Sequence, residues 1–332
     1  MKEHNITIYD VAKEANVSMA TVSRVVNGNS NVREETKKKV LDVIKRLNYH
    51  PNAVARGLAS KKTTTVGVII PDVTSIYFAS LARGIDDIAS MYKYNIILAN
   101  SDEGYKEEKH VLNTLLSKQV DGIIYLGRTL SDKIRQSFLS SNTPVILAGS
   151  TDKEKKISSV NIDYEKAFEV ATTFLIKNGN RDISLVIGDL DKEVNSESCL
   201  IGYKKALYKF KIKYNDKLVF QTNYDYTSGL ELWNQIKNES TAAVIGNDEL
   251  AFGILDGALD DKLIIPKDFE IITSDNTKLT QMSRPQLTSI YQPLYDIGAV
   301  SMRLLTKIMN KETFNYSSIM LPFSVIKRSS TK

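Results

Sequence analysis

The sequence predicts an all-α helix-turn-helix head followed by an α/β core of two lobes built on parallel sheets. Three observations predict it. Residues 1–50 carry three short amphipathic helix patterns separated by turn residues. From Thr65 onward, short apolar runs alternate with helical patterns, the rhythm of βα units feeding parallel sheets. Charge divides along the same line: residues 1–62 hold twelve Lys/Arg against six Asp/Glu, a net +6, and the other 270 residues hold 32 against 33, a net −1. The total of +5 therefore belongs to the head, whose expected partner is a polyanion. On charge alone, a solvated basic face explains the head equally well.

With 332 residues, 42% of them hydrophobic, the chain can bury sizeable cores without a disulfide or metal staple. Its single cysteine, Cys199, excludes an internal disulfide framework and fits a reducing cytoplasm. His4, His50 and His110 lie far apart, so neither a histidine metal site nor a cofactor is expected. The start, MKEHNITIYD, has no apolar leader and no later stretch approaches a membrane span. A cytoplasmic protein with no membrane contact is expected.

The first helix starts after Thr7, with Asp10 three residues on as in a capping box, and Ile8, Val11, Ala12 and Ala15 share one face. Asn16-Val17 makes a tight turn in which Asn can take left-handed backbone. Ser18 can cap a second helix, MATVSRVVN, which turns Val22, Val25 and Val26 inward and ends at Gly28 and Asn29. Residues 33–47 read as a third helix with Val40, Ile44 and Leu47 as its stripe. In the helix-turn-helix plan the start of the second helix enters the major groove. Met19, Ala20, Thr21, Ser23 and Arg24 are then the candidate readers, flanked by Thr7, Tyr9, Ser18 and Asn27. Arg24 is the long donor among them, suited to a guanine O6/N7 pair. A three-helix protein-interaction module would bury the same valines, and periodicity does not separate the two.

Pro51 opens a linker, NAVARGLASKK, whose Val54, Ala55 and Leu58 lie on one side of a short helix. Gly57 weakens that helix, which is marginal in water. The core then reads as nine strands: TVGVIIPD, YNIILANSD, VDGIIYLG, TPVILAGS, SSVNID, DISLVIGD, KLVFQTN, TAAVIGND and FEIITSD. Most end in polar residues, Asp72, Arg128, Asn247/Asp248 and Asp275 among them, and parallel α/β sheets bind ligands beyond these strand ends. Any one such Asp reads more readily as a turn or cap. QPLYDIGAVSMRLLTKIMN is helical after Pro293, with Ile297, Leu304 and Ile308 at core spacing and Asp296, Arg303 and Lys307 on another face. G-x-G-x-x-G, P-loop, G-x-S-x-G and H-E-x-x-H patterns do not occur, so an enzyme is not expected.

TIYDVAKEANVSMATVSRVVNGNSNV, followed by YHPNAVARGLASKKTTTVGVIIPD, resembles the lactose/galactose repressor family, and the resemblance runs the length of the chain. MYKYNIIL, KQVDGII, RPQLTSI, QPLYDIGAVSMRLLTKIMNKE and the terminal STK are similar to the Gram-positive branch of that family that controls carbon catabolism. The resemblance implies a head over residues 1–50, a hinge helix over 51–62 and a periplasmic-binding-protein-like core over 63–332. Its lobes would span about 63–163 with 291–322, and about 164–290 with the C-terminal tail. It also implies a homodimer on a pseudo-palindromic operator of double-stranded DNA. The hinge would fold against its dimer mate in the minor groove, with Ala55 and Leu58 at the bases and Leu58 wedged between them. Arg56, Lys61 and Lys62 would face phosphates. Leu58 as a plain packing leucine is the alternative.

The family places an effector between the lobes, where Tyr77 and Phe78 match aromatic contacts and Asn247 and Asp275 match polar ones. Asp72 and Asp248 complete that expected set. One position departs. Many effector-binding members carry Arg three residues before the Gly of a G-Y/W-x-x-A/Y-L stretch, and CLIGYKKAL holds Cys199 there. The missing charge weakens the case for a small inducer and leaves a sugar-phosphate effector open; Cys199 itself reads as buried and uncharged. The carbon-control branch implies a protein corepressor, the serine-phosphorylated histidine-containing phosphocarrier protein of the sugar phosphotransferase system. Arg303 and Lys307, four apart, can converge on its phosphate, and Asp296 can meet a base. Tyr295, Val300 and Leu304 would add apolar contact, unless Val300 and Leu304 are core. Arg83, Asp86, Asp87 and Met91 of ARGIDDIASMYKYN would form the neighbouring part of that surface. The expected function is transcriptional repression and activation in carbon catabolite control. A family repressor governed by a sugar or nucleotide alone is the nearer alternative, and a sugar-binding protein or an α/β enzyme the more distant ones.

Overall fold

Valine spacing builds the head. The computed structural model describes residues 6–28, 31–50, 62–102, 105–312 and 318–332 and divides into two units, Met1–Thr63 and Thr64–Lys332. In the first, α1 (Ile8–Glu14), α2 (Met19–Val26) and α3 (Glu34–Arg46) enclose Val11, Ala15, Val22, Val25, Val40 and Val43. The backbone N–H of Thr7 donates to Asp10 Oδ2 at 2.8 Å, and Ser18 Oγ accepts from the Thr21 N–H at 3.2 Å, so both caps form. Asn16 takes φ 50° in the turn between α1 and α2. On α3 Val40 of the expected stripe is buried and Val43 joins it, whereas Ile44 and Leu47 are half-buried, because α3 packs against two helices at once and needs a broader face. Arg46 reaches Glu14 at 2.8 Å and ties α3 to α1. Asn29 and residues 51–61 of the expected hinge, with Ala55, Arg56, Leu58 and Lys61, lie outside the described residues.

The second unit holds two six-stranded sheets. The chain runs β1 (Thr65–Ile70), α4 (Ile76–Met91), β2 (Asn95–Asn100), α5 (Tyr105–Ser117), β3 (Gly122–Tyr125), α6 (Asp132–Ser140), β4 (Val145–Ala148) and β5 (Ser158–Ile162). It then crosses to α7 (Tyr164–Lys177), β6 (Ile183–Ile187), α8 (Ser196–Lys209), β7 (Val219–Gln221), α9 (Tyr226–Ile236) and β8 (Ala242–Ile245). Next come α10 (Asp248–Asp260), β9 (Glu270–Asp275), α11 (Leu279–Met282) and β10 (Thr288–Tyr291). It returns through α12 (Leu294–Met309) to β11 (Ser318–Leu321) and crosses again to β12 (Ser324–Ile326).

One lobe has strand order β11-β5-β4-β3-β1-β2, with every pair parallel. The other has order β12-β10-β9-β8-β6-β7, parallel except for β12 on β10. Three crossings therefore join the lobes, after β5, β10 and β11. Helices on both faces explain why Val66, Val68, Ile69 and Ile70 are all buried, and why these strands read as unbroken apolar runs. β10, β11 and β12 go beyond the nine strands read from the sequence. They are only three or four residues long and sit where the chain changes sheet.

Candidate functional site

The start of α2 is exposed. Tyr9 is 66% and Met19 41% accessible, Thr7, Ser18, Ala20, Arg24 and Asn27 are exposed, and Thr21 and Ser23 are half-buried. Several hydroxyls there are already engaged: Thr7 Oγ1 donates to Asp10, Ser18 and Thr21 share a hydrogen bond at 2.9 Å, and Ser23 Oγ accepts from Asn27 Nδ2. Arg24 forms no ion pair with the described residues. It is the long donor left for an outside acceptor.

A second exposed face is made by α4 and α12. The two helices approach at two glycines: a Cβ on Gly84 would run into the Tyr295 carbonyl, and one on Gly298 into the Leu81 carbonyl. That approach lets Tyr295 Oη donate to Asp87 Oδ2 at 3.1 Å while Arg83 holds Asp87 Oδ1 at 2.9 Å. Beside this knot Asp296, Arg303 and Lys307 are exposed along α12, and neither base has an ion pair among the described residues. Met91, 61% accessible, ends α4, and Asp86 is half-buried. Leu304 is 5% accessible and belongs to the core, since it faces the sheet; it offers no surface to a partner, and Val300 packs half-buried against the same core.

The third region lies between the lobes. Tyr77 and Asp275 line a cavity of about 30 Å³, together with Arg128, Glu193, Tyr224 and Cys199. Phe78 sets its ring edge against Tyr77 at 5.1 Å. Asn247 caps α10 and donates to Asp275 Oδ2 at 3.1 Å; Gln292, in a crossing between the lobes, donates to Asp275 Oδ1 at 2.9 Å. These bonds hold Asp275 at φ 97°, a left-handed conformation that costs about 1–3 kcal/mol in a residue with a side chain. Asp248 is sealed away from the cavity, accepting from Thr273 Oγ1 and the Thr277 N–H. Asp72 is exposed and binds Thr74, so it serves its own turn. Burial pushes the Cys199 thiol well up, and at 2% accessibility it is uncharged and enclosed.

Arg128, Tyr164, Glu193, Asn195 and Tyr224 enter the cleft without having been candidates. Arg128 alone carried a signal, as a polar strand end; the others come from loops or a helix start whose placement depends on the opposite lobe. Among the described residues no cluster of three or more His, Cys, Asp or Glu could hold a metal ion, and no helix is long and apolar enough to cross a membrane.

Residues 7–52 match the family described as bacterial regulatory proteins, lacI family, and residues 63–313 match periplasmic binding proteins and sugar binding domain of LacI family. A catabolite control protein A of Priestia megaterium is 53% identical over 331 residues, covering 99% of this chain and 100% of that one. The protein of the same name from Streptococcus mutans is 53% identical, covering 99% of each chain. Among solved structures, the transcription regulator CcpA of Lactococcus lactis aligns with TM-score 0.79 and 48% identity over 81% of this chain and 99% of that one. A lac repressor dimer bound to operator and an anti-inducer aligns with TM-score 0.89 and 26% identity over 99% of both chains.

Proposed function

Because this chain belongs to the lacI family of DNA-binding transcription regulators and is half identical to catabolite control proteins A, we propose that it binds pseudo-palindromic operators as a homodimer when its core docks a serine-phosphorylated phosphocarrier protein. The observation that carries the docking step is the α4–α12 face. There Arg303 and Lys307 are exposed and without ion pairs among the described residues, beside the ordered Arg83–Asp87–Tyr295 knot. Two bases one helical turn apart suit a phosphate dianion, and charge-assisted bonds to it are stronger than neutral ones. Asp296 answers a base on the partner, while Tyr295 and Met91 supply apolar contact.

The head reads DNA through Arg24 and the start of α2, with Tyr9 and the exposed hydroxyls positioning it on phosphates. The hinge, with Ala55 and Leu58, completes the reading in the minor groove. Docking favours the lobe arrangement that pairs two hinges, a coupling of about 1–3 kcal/mol. Control by a small effector alone has some support, since a CelR–cellobiose complex and a ribose-bound regulator from Enterococcus faecium share the fold. The cavity around Arg128, about 30 Å³, is too small for a sugar, but a pocket of about 580 Å³ lined by both lobes, with Ser131, Arg135, Asp152 and Leu190 among its walls, has room for one. Selection from random duplex DNA, followed by titration at two salt concentrations, tests the DNA reading. An enriched inverted repeat with steeply salt-dependent affinity supports it; recovery of unrelated sequences, all bound alike, would sink it.

A further inference from the structure

Arg128 stands three residues beyond the end of β3, and its guanidinium carbon lies 4.5 Å from the ring centre of Tyr224, 5.3 Å from that of Phe78 and 5.8 Å from that of Tyr77. Tyr77 and Phe78 come from α4 in the lobe of Arg128 itself, and Tyr224 from the opposite lobe beyond β7. Glu193 and Asp275, also of the opposite lobe, face the same guanidinium. Burial works against its charge, but Glu193, Asp275 and the tyrosines Tyr224 and Tyr77 together outweigh burial and hold it above its ordinary value. Among the described lining residues Arg128 is the only base, set among two acids and three tyrosines. What remains of the cavity, about 30 Å³, takes one or two waters.

The backbone fixes this arrangement from both sides. The Val194 N–H donates to the Arg128 carbonyl at 3.1 Å, and Thr129 and Glu193 pair as an isolated antiparallel bridge between the lobes. Asn195 Nδ2 donates across to the Gly149 carbonyl at 2.9 Å. Glu193 lies over Gly188, where any Cβ would fill the space its carboxylate uses.

We infer that Arg128 is a tethered guanidinium that occupies the aromatic end of the space between the lobes and clasps them together, beside a roomier inter-lobe pocket of about 580 Å³ that it leaves open. Its recognition is that of any cation in an aromatic cage: ring faces supply negative potential and the Glu193 carboxylate answers the charge. This end of the cleft is therefore selective for a cation, and its cation is built in. This goes beyond the proposed docking of a phosphoprotein and does not depend on it, since the cage stands whichever partner reaches α4 and α12.

The test removes the plug and returns it in solution. The full chain and its Arg128→Ala variant are compared by small-angle scattering and thermal melting, each with and without millimolar ethylguanidinium. The variant is expected to show a larger radius of gyration and a lower melting temperature, both restored by ethylguanidinium and not by ethylammonium, while the parent responds to neither. A variant with the parent's radius and melting temperature overturns the inference, as does a loss that ethylguanidinium leaves untouched. Should Arg128→Ala not fold, Tyr224→Leu keeps the cation and removes its nearest ring. Enlargement of that variant supports the cage, and the parent's radius overturns it.

Discussion

Arg24 combines reach, exposure and the absence of an ion partner among the described residues, which is what a base reader needs before DNA arrives. Arg24→Ala is expected to weaken operator binding by roughly 1–3 kcal/mol and to relax preference at one base position. Equal affinity and equal preference in a competitive titration would remove Arg24 from that role. At the cleft, burial pushes the Asp248 carboxyl up to about 7, against hydrogen bonds from Thr277 and Thr273 that pull it down. Burial, then the charge of Asp248, pushes Asp275 the same way. A raised carboxyl pKa means that the folded core keeps a proton the unfolded chain has already released. Stability should therefore fall as pH rises from about 4 to about 7, with protons released on unfolding in that window. Denaturant titrations of the parent and of Asp248→Asn check this; the variant should show a flatter profile, and a parent whose stability climbs across the window contradicts it. The sequence offered both carboxylates as cleft residues. It did not tell them apart, because only the fold decides which strand-end Asp faces the cavity and which lies beneath it.

Helix packing sets the proposed docking face, and two glycines set the packing. Gly84→Ala drives a methyl group into the Tyr295 carbonyl, so α4 and α12 must separate. The expected cost is about 1–3 kcal/mol in urea denaturation, with loss of the Asp87–Tyr295 contact; parental stability would show that the helices have slack. The hinge yields a second test at this scale. If Leu58 wedges the operator, Leu58→Ala should reduce DNA bending in a circular-permutation shift assay, and an unchanged bend counts against the wedge. Helices and long strands were legible in the sequence because their periodicity is local: α2 shows Val22 and Val25, and β1 an apolar run. The strands β10, β11 and β12 were not, because none is an unbroken apolar run: β10 opens on Thr and Ser, and β11 and β12 are partly exposed strands at the sheet edges. Val43 took the place given to Ile44 for a related reason, since one helix's pattern does not say how many neighbours it meets.

At the scale of the molecule, charge says most. The net +6 of residues 1–62 and −1 of the rest agree with the family match that makes residues 7–52 the DNA-binding head, and the near-neutral core keeps Arg303 and Lys307 as an exposed basic pair on α12. That division was legible from composition alone, and the two-lobed plan from the alternation of strands and helices. The Arg128 cage was not legible, because Arg128 meets Tyr224 and Glu193 only across the space between the lobes. The family resemblance pointed to an effector there and the Cys199 substitution pointed away from one. The cage explains the second signal: the positive charge comes from the opposite lobe. The central claim is that a serine-phosphorylated phosphocarrier, docked on Arg303 and Lys307, drives operator binding. The most direct measurement titrates a selected operator with the parent chain and with Arg303→Ala, each with and without that carrier. The account predicts that the carrier tightens the parent about 5- to 150-fold and leaves Arg303→Ala at the parent's basal affinity. Equal stimulation of the two proteins, or none of the parent, would contradict it.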